Sequence, residues 1–418
     1  MKTLIKNPSQ IVTVDTKKKN IKRGKDLCDF TVLNGYSVLV EDSTIKDIIQ
    51  NSKADKISAD KVIDVKDCVL LPGLVECHTH AAFAGTRANE FLQRLKGASY
   101  ENIEKSGGGI ISTVKAVRES SFDDLVILLK PRIDYYISQG ITTLEIKSGY
   151  GLSFYDEIKL LQVINHFKVH SPIDIVPTFL GAHTYPPEYK NDHKGYVKLI
   201  TDEMLPYIIE NRLAEFVDVF CEKSAFSSEE VNIIFTQAKK LGYKLRLHTE
   251  QFNNIGGLDT ALKHKVLSID HLEVIAKDDI TKLSNCDTVA VLLPGVSFFL
   301  SCNYAPARKL IDAGAVVALS TNFNPGSSNI PNLHMIMQLA AIIMKMTAEE
   351  IISAVTINAS AALDLNKQIG SIEIGKQADF AIFDIKEYPE IFYNIGANLN
   401  KMTIKKGKII YSRNPESL

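Results

Sequence analysis

Between about residues 70 and 366, apolar runs of strand length alternate with segments whose apolar residues recur every three or four positions. Eight strand-like runs stand out: Val69–His80, Ile141–Ser148, Ile173–His183, Glu215–Glu222, Tyr243–Glu250, Val266–Glu273, Thr288–Pro294 and Val316–Asn322. The intervening patterns are helical. Phe122–Ser138 is amphipathic, Ser228–Leu241 opens with serine ahead of Glu229 and Glu230, and Thr347–Val355 starts with a Thr-x-x-Glu capping box. Eight strand–helix units predict an α/β fold, a (β/α)8 TIM-like barrel over residues 70–366.

The two ends of the chain have a different rhythm. Gln10–Val14, Tyr36–Val40 and Lys61–Val65 are short β-rich pieces separated by polar turns. Ala378–Asp384 and Met402–Tyr411 resume that character. Residues 1–69 and 367–418 are therefore expected to join into one small β-sandwich domain, with the barrel inserted between its halves.

Composition narrows the setting. Of 418 residues, 45% are hydrophobic and 23% charged, which excludes wholesale disorder. Lys and Arg total 48 against 49 Asp and Glu, so no net field exists to attract nucleic acid or anionic lipid. The basic run Lys17–Arg23 reads as a solvated turn. No stretch approaches membrane-spanning length and the N-terminus carries no secretory pattern, so a cytoplasmic protein is expected, and base rates favour a homodimer. Six scattered cysteines without a Cys-x-x-Cys argue against a thiolate metal site or a disulfide framework.

Chemistry enters where the strands end. Barrel active sites form at the C-terminal ends of strands, and five of the ten histidines fall there: His78 and His80, His183, His248, and His271. His166, His170, His193, His264 and His334 lie on helices and loops, as surface or helix-face histidines would. Strand alternation puts His78 and His80 on one face, within reach of one ion. Neutral imidazoles with one carboxylate form a site for a single Zn²⁺ or Fe²⁺ with a position open to water. Lys147, near the end of the second strand, reads as a charge partner in the site wall. A lysine that could bridge two metals is missing from the end of the fourth strand, where Cys221 and Glu222 stand before Lys223.

Several runs are more specific. They include Pro72-Gly-Leu-Val-Glu-Cys-His-Thr-His80, Glu145-Ile-Lys-Ser-Gly-Tyr-Gly-Leu152, Gly181-Ala-His183, Val217-Asp-Val-Phe-Cys-Glu222, His248-Thr-Glu-Gln251, Asp270-His-Leu-Glu273 and Phe323-Asn-Pro-Gly-Ser-Ser328. Across nearly the whole chain this set resembles the imidazolonepropionases, amidohydrolase-superfamily enzymes of histidine degradation. The resemblance implies a barrel of the metal-dependent hydrolase type and hydrolysis of the cyclic amide of 4-imidazolone-5-propanoate, a small-molecule substrate, to N-formimidoyl-L-glutamate. It implies metal ligation by His78, His80, His248 and the residue at 322. It also implies substrate contacts at Arg87, Tyr150, His183, Gln251, Asn324, Gly326 and Ser327. A propanoate tail wants a guanidinium, and Arg87 lies just past the first strand.

His271 is the candidate for orienting the attacking water and shuttling a proton, helped by Asp270 or Glu250. Gly107–Thr113 reads as a lid hinge that could carry Tyr100 to the substrate. One residue departs from the pattern: Asn322 stands where the family's aspartate is expected. It can offer an amide oxygen to a metal but has neither charge nor useful basicity. An introduced or natural substitution in a working scaffold, a silent binding protein, and a different cyclic amidase or deaminase remain the alternatives that substrate profiling would separate.

Overall fold

The computed structural model describes residues 1–97 and 108–414. Its centre is an eight-stranded, all-parallel sheet taken in chain order: β1 (Leu74–Glu76), β2 (Ile141–Lys147), β3 (Asp174–Ala182), β4 (Phe216–Cys221), β5 (Lys244–Thr249), β6 (Ser268–His271), β7 (Val289–Leu292) and β8 (Val316–Leu319). Each lies inside one of the eight expected runs. Just beyond β1 and β8 the sheet closes on itself. Asn322 N donates to His78 O at 3.1 Å, and His80 N to Phe323 O at 2.9 Å.

Helix starts follow their caps. Ser121 and Asp124 form a reciprocal box ahead of Phe122–Ser138, Ser227 and Glu230 ahead of Ser228–Lys240, and Thr347 and Glu350 ahead of Ala348–Ala354. Each pair satisfies backbone N–H groups that a first helical turn leaves without intrahelical partners.

Both chain ends contribute to a second, two-layered unit. One sheet orders Thr44–Gln50, Tyr36–Glu41, Lys2–Lys6 and Lys61–Asp64; the other orders Lys408–Ser412, Asn400–Lys405, Phe380–Phe383, Val69–Pro72, Gln10–Val12 and Val32–Leu33. Ile5, Val38, Val40 and Ile63 from the first sheet meet Ile11, Leu70, Phe380, Ile382 and Ile404 from the second in one buried aliphatic cluster.

The run Val69–His80 is not one strand. Val69–Pro72 pairs with Phe380–Phe383 and Gln10–Val12 in the outer unit, and after Gly73 the chain enters β1. Gly73 N donates to Asp379 O at 2.8 Å, and the next amide, Leu74 N, donates to Gly140 O at 3.0 Å in the barrel. A Cβ at residue 73 would stand 2.3 Å from Thr142 Oγ1, so only glycine lets the chain pass.

Candidate metal centre and active site

The strand ends bring His78, His80 and His248 together, with one ring nitrogen of each inside a 4.8 Å cluster. His78 Nδ1 faces Asp270 Oδ2 at 2.6 Å, and His248 Nδ1 faces Asp218 Oδ1 at 3.0 Å. A carboxylate at Nδ1 makes that nitrogen the N–H donor and leaves Nε2 as a bare lone pair. His248 Nε2 then lies 3.3 Å from His80 Nε2. Two nitrogens on one tetrahedral zinc-like ion, at bonds of about 2.0–2.1 Å, stand about 3.3 Å apart. His78 Nε2 and Asn322 Oδ1 are buried with no hydrogen-bond partner among the described residues. The donor set therefore fits a divalent cation. Burial, reinforced for His78 and His248 by Lys147 and for His80 by His183, holds all three imidazoles well below their ordinary pKa, in the neutral form a metal needs.

Behind the histidines is a layer of fully buried charge. Lys147 Nζ bridges Glu145 Oε1 at 2.8 Å and Asp218 Oδ2 at 2.9 Å, and Arg246 donates to Asp270 Oδ2 at 2.9 Å. Period-two alternation explains the arrangement: Glu145 and Lys147 on β2, and Arg246 and His248 on β5, each occupy successive inward positions. Burial works to raise the Asp270 carboxyl, but Arg246 and Lys147 more than offset it and hold it below the usual carboxylate range. Lys147 is a charge partner here, as expected. Glu145, Asp218 and Arg246 were not singled out from sequence, although Arg246 stands two residues before His248 and Glu145 two before Lys147.

Strained backbone marks the same rim. Glu250, His271, Leu272 and Asn322 have φ of 57°, 89°, 72° and 49°, a region that costs non-glycine residues energy and gathers at functional sites. At Glu250 the consequence is a correction. Continued alternation would place it beside His248, but the left-handed turn takes it out of the cavity wall and brings Gln251 in. The Glu250 carboxyl is buried, neither oxygen has a partner among the described residues, and burial, aided by Asp279 and Asp259, pushes its pKa up to about 8. Glu250 is not among the residues that line the cavity. His271 does line the cavity, with Nδ1 held by Glu273 Oε1 at 3.3 Å.

The cavity, about 120 Å³, runs from these imidazoles to Arg87. Tyr150, His183, Gln251, Asn324 and Ser327 line it too. His183 stacks on His80 with centroids 5.1 Å apart, and its Nδ1 bonds to Gly149 O at 2.9 Å. Burial lowers its pKa to about 4, so it is neutral. Asn324 is largely spent on its own loop: Oδ1 accepts from Gly326 N at 2.8 Å and Ser327 N at 2.7 Å, and Nδ2 donates to Asn322 O at 2.7 Å. Gly326 lies under Arg87, where a Cβ would stand 1.9 Å from a guanidinium nitrogen. Tyr100 and Gly107 lie outside the described residues; Gly109, with φ of 77°, precedes the helix Ile110–Glu119.

Sequence reasoning missed what shapes the Gly149–Leu152 loop. The buried Glu157 carboxylate accepts from Gly149 N at 3.0 Å, Gly151 N at 2.7 Å and Leu152 N at 2.9 Å, while Arg118 Nε donates to Gly151 O at 2.8 Å. Together they fix Tyr150 and the carbonyl that orients His183. The available signal was the helix cap Ser153 followed by a carboxylate one turn in.

Known proteins resemble this chain at two levels. The amidohydrolase family profile matches residues 200–410. An imidazolonepropionase from Alkaliphilus oremlandii is 41% identical over 417 residues, 98% of both chains. One from Thermoanaerobacter pseudethanolicus is 44% identical over 382 residues, 91% of this chain and 92% of that one. Among solved structures, an adenosine deaminase from Xanthomonas campestris with bound zinc superposes with a TM-score of 0.73 at 16% identity, covering 98% of this chain and 93% of that one. The Escherichia coli guanine deaminase gives 0.72 at 13% identity, covering 99% and 100%. At such identities the structural matches speak for the fold alone.

Proposed function

This chain belongs to the imidazolonepropionase family of amidohydrolases, and from that premise we propose how its barrel mouth opens the cyclic amide of 4-imidazolone-5-propanoate to N-formimidoyl-L-glutamate. The observation that carries the reading is the lining of one cavity: imidazoles of the candidate metal cluster, His80 and His248, together with His271 and Arg87.

His78, His80, His248 and the amide oxygen of Asn322 would hold one Zn²⁺ or Fe²⁺. Such an ion, when bound, lowers the pKa of water and polarises a carbonyl. Arg87 binds the propanoate through charge-assisted hydrogen bonds and sets the distance from tail to ring. Tyr150, His183 and Gln251 orient the heterocycle. In the net reaction water oxygen adds to the ring carbonyl carbon, the C–N bond breaks, the released nitrogen keeps a proton, and a carboxylate forms. His271, its Nδ1 steadied by Glu273, takes the water's proton and returns it to the leaving nitrogen. Asn322 cannot share that work, so the proton falls to His271 alone.

The test is ring opening followed by loss of imidazolone absorbance, with metal content measured alongside, for the chain as it stands and for Asn322→Asp. A carboxylate there strengthens metal binding and supplies a second proton acceptor. The expected gain in rate is on the order of 10²–10⁴-fold, with tighter metal retention. Equal rate and equal metal content would sink the assignment of Asn322 to the metal.

A further inference from the structure

The arginine at the far end of the cavity does not stand alone. Arg87 Nε donates to Glu90 Oε2 at 2.7 Å, in a pair whose side chains are only 8% and 15% exposed. The other oxygen, Glu90 Oε1, accepts from Gly109 N and from Ser112 Oγ, both at 3.1 Å. One carboxylate thus ties the guanidinium to the start of the helix Ile110–Glu119, whose first residue lines the cavity. On the opposite side, the η nitrogens lie over Gly326, too close for any side chain there.

We infer that Glu90 is a positioning residue for recognition of the substrate carboxylate: by taking the Nε edge of Arg87 against the floor at Gly326, it turns the η-nitrogen end toward the cavity. This rests on the ring-opening reading. The physical argument is geometric. A guanidinium is planar, so fixing its Nε edge from one side and its face from another leaves it one orientation, and a preorganised fork loses less entropy on binding an anion. The three donors on the Glu90 oxygens, Arg87 Nε, Gly109 N and Ser112 Oγ, offset part of the repulsion its charge exerts on an incoming propanoate.

Calorimetry with two ligands on the metal-loaded protein tests this: imidazole-4-propanoate, and 4-propylimidazole, which has the same ring and a neutral tail. The chain as it stands should prefer the anionic ligand by at least on the order of 10-fold, as expected for a hydrogen-bonded charge. Glu90→Ala should lose that preference with the affinity for 4-propylimidazole unchanged, and should raise KM for ring opening with kcat within about threefold. Glu90→Gln, which keeps an acceptor oxygen for Nε, should recover part of the preference and serves also if the alanine variant does not fold. In an Arg87→Lys background, Glu90→Gln should add nothing. Variants that weaken both ligands equally, or that keep the full preference, overturn the role of Glu90 alone. Failure of the unsubstituted protein to bind either ligand overturns the ring-opening reading instead.

Discussion

The barrel mouth and the two-sheet unit built from the chain ends satisfy their buried polar groups in opposite ways. In the outer unit aliphatic side chains fill the space between sheets, and Asn400 Oδ1 is its one buried side-chain oxygen or nitrogen without a partner among the described residues. At the mouth, His78 Nε2, His80 Nδ1, Asn322 Oδ1, Asp270 Oδ1 and Glu273 Oε2 are all buried without partners among the described residues. Unpaired buried polar atoms cost free energy in any fold. Their concentration in one place indicates a site kept for a ligand, while stability is concentrated elsewhere.

That division can be attacked from both sides. His248→Ala removes one donor of the cluster. Ring opening should fall by on the order of 10²–10³-fold or more with loss of bound metal, while the metal-free protein should lose less stability than a core truncation costs, because the loss of the Asp218 partner is offset by removal of a buried imidazole held next to His80 and His78. A large drop in apo melting temperature would break the contrast. Phe380→Ala, in the outer core, should do the reverse: a loss of about 3–5 kcal/mol in denaturant unfolding, with kcat/KM unchanged per folded molecule.

His334 tests the junction. Its ring packs 5.4 Å from Phe383 of the outer unit and its Nε2 bonds to Gln139 O at 2.9 Å in the barrel wall. Burial lowers its pKa to about 4. An unfolded histidine titrates near 6.5, so between those values the unfolded chain takes up a proton that the folded chain refuses. Stability should therefore fall as pH falls through that window, by about 3 kcal/mol in all. His334→Gln should reduce the slope of the urea midpoint against pH there by its own share, the remainder coming from His78, His80, His183 and His248. An unchanged slope would place the acid sensitivity elsewhere. The smallest effect is expected behind the ligands: Asp218→Asn should weaken metal affinity about 10–100-fold, read by competition with a chelator, because His248 loses the partner that fixes its tautomer. Affinity within twofold of the parent would remove Asp218 from the metal's support.

Much of this was legible in the sequence because the physics is local. Eight apolar runs, five of them with a histidine or an asparagine at or near the end, give a barrel and its rim, and the serine and threonine caps give helix starts to within a residue. What escaped depends on contacts between distant segments. In Val69–Glu76 the pair Pro72-Gly73 is a breaker signal, but apolar residues on both sides hide that it passes the chain from one sheet to another. Glu250 and Gln251, as neighbours on a strand, face opposite ways, and sequence alone does not say which faces in; the left-handed φ at Glu250 sets it. Glu90 and Glu157 sit in helices where a carboxylate is ordinarily solvated, and only the fold shows one turned onto Arg87 and the other onto the amides of the Tyr150 loop.

The passage through Gly73 also couples two distant parts of the chain. Val69–Pro72 has Phe380–Phe383 as its antiparallel neighbour, and His78 follows a few residues later on the same polypeptide. Without that partner the segment leading into the first metal-binding histidines is an open sheet edge. A strand more than three hundred residues downstream, carrying no group of the site, therefore anchors the approach to its first two ligands.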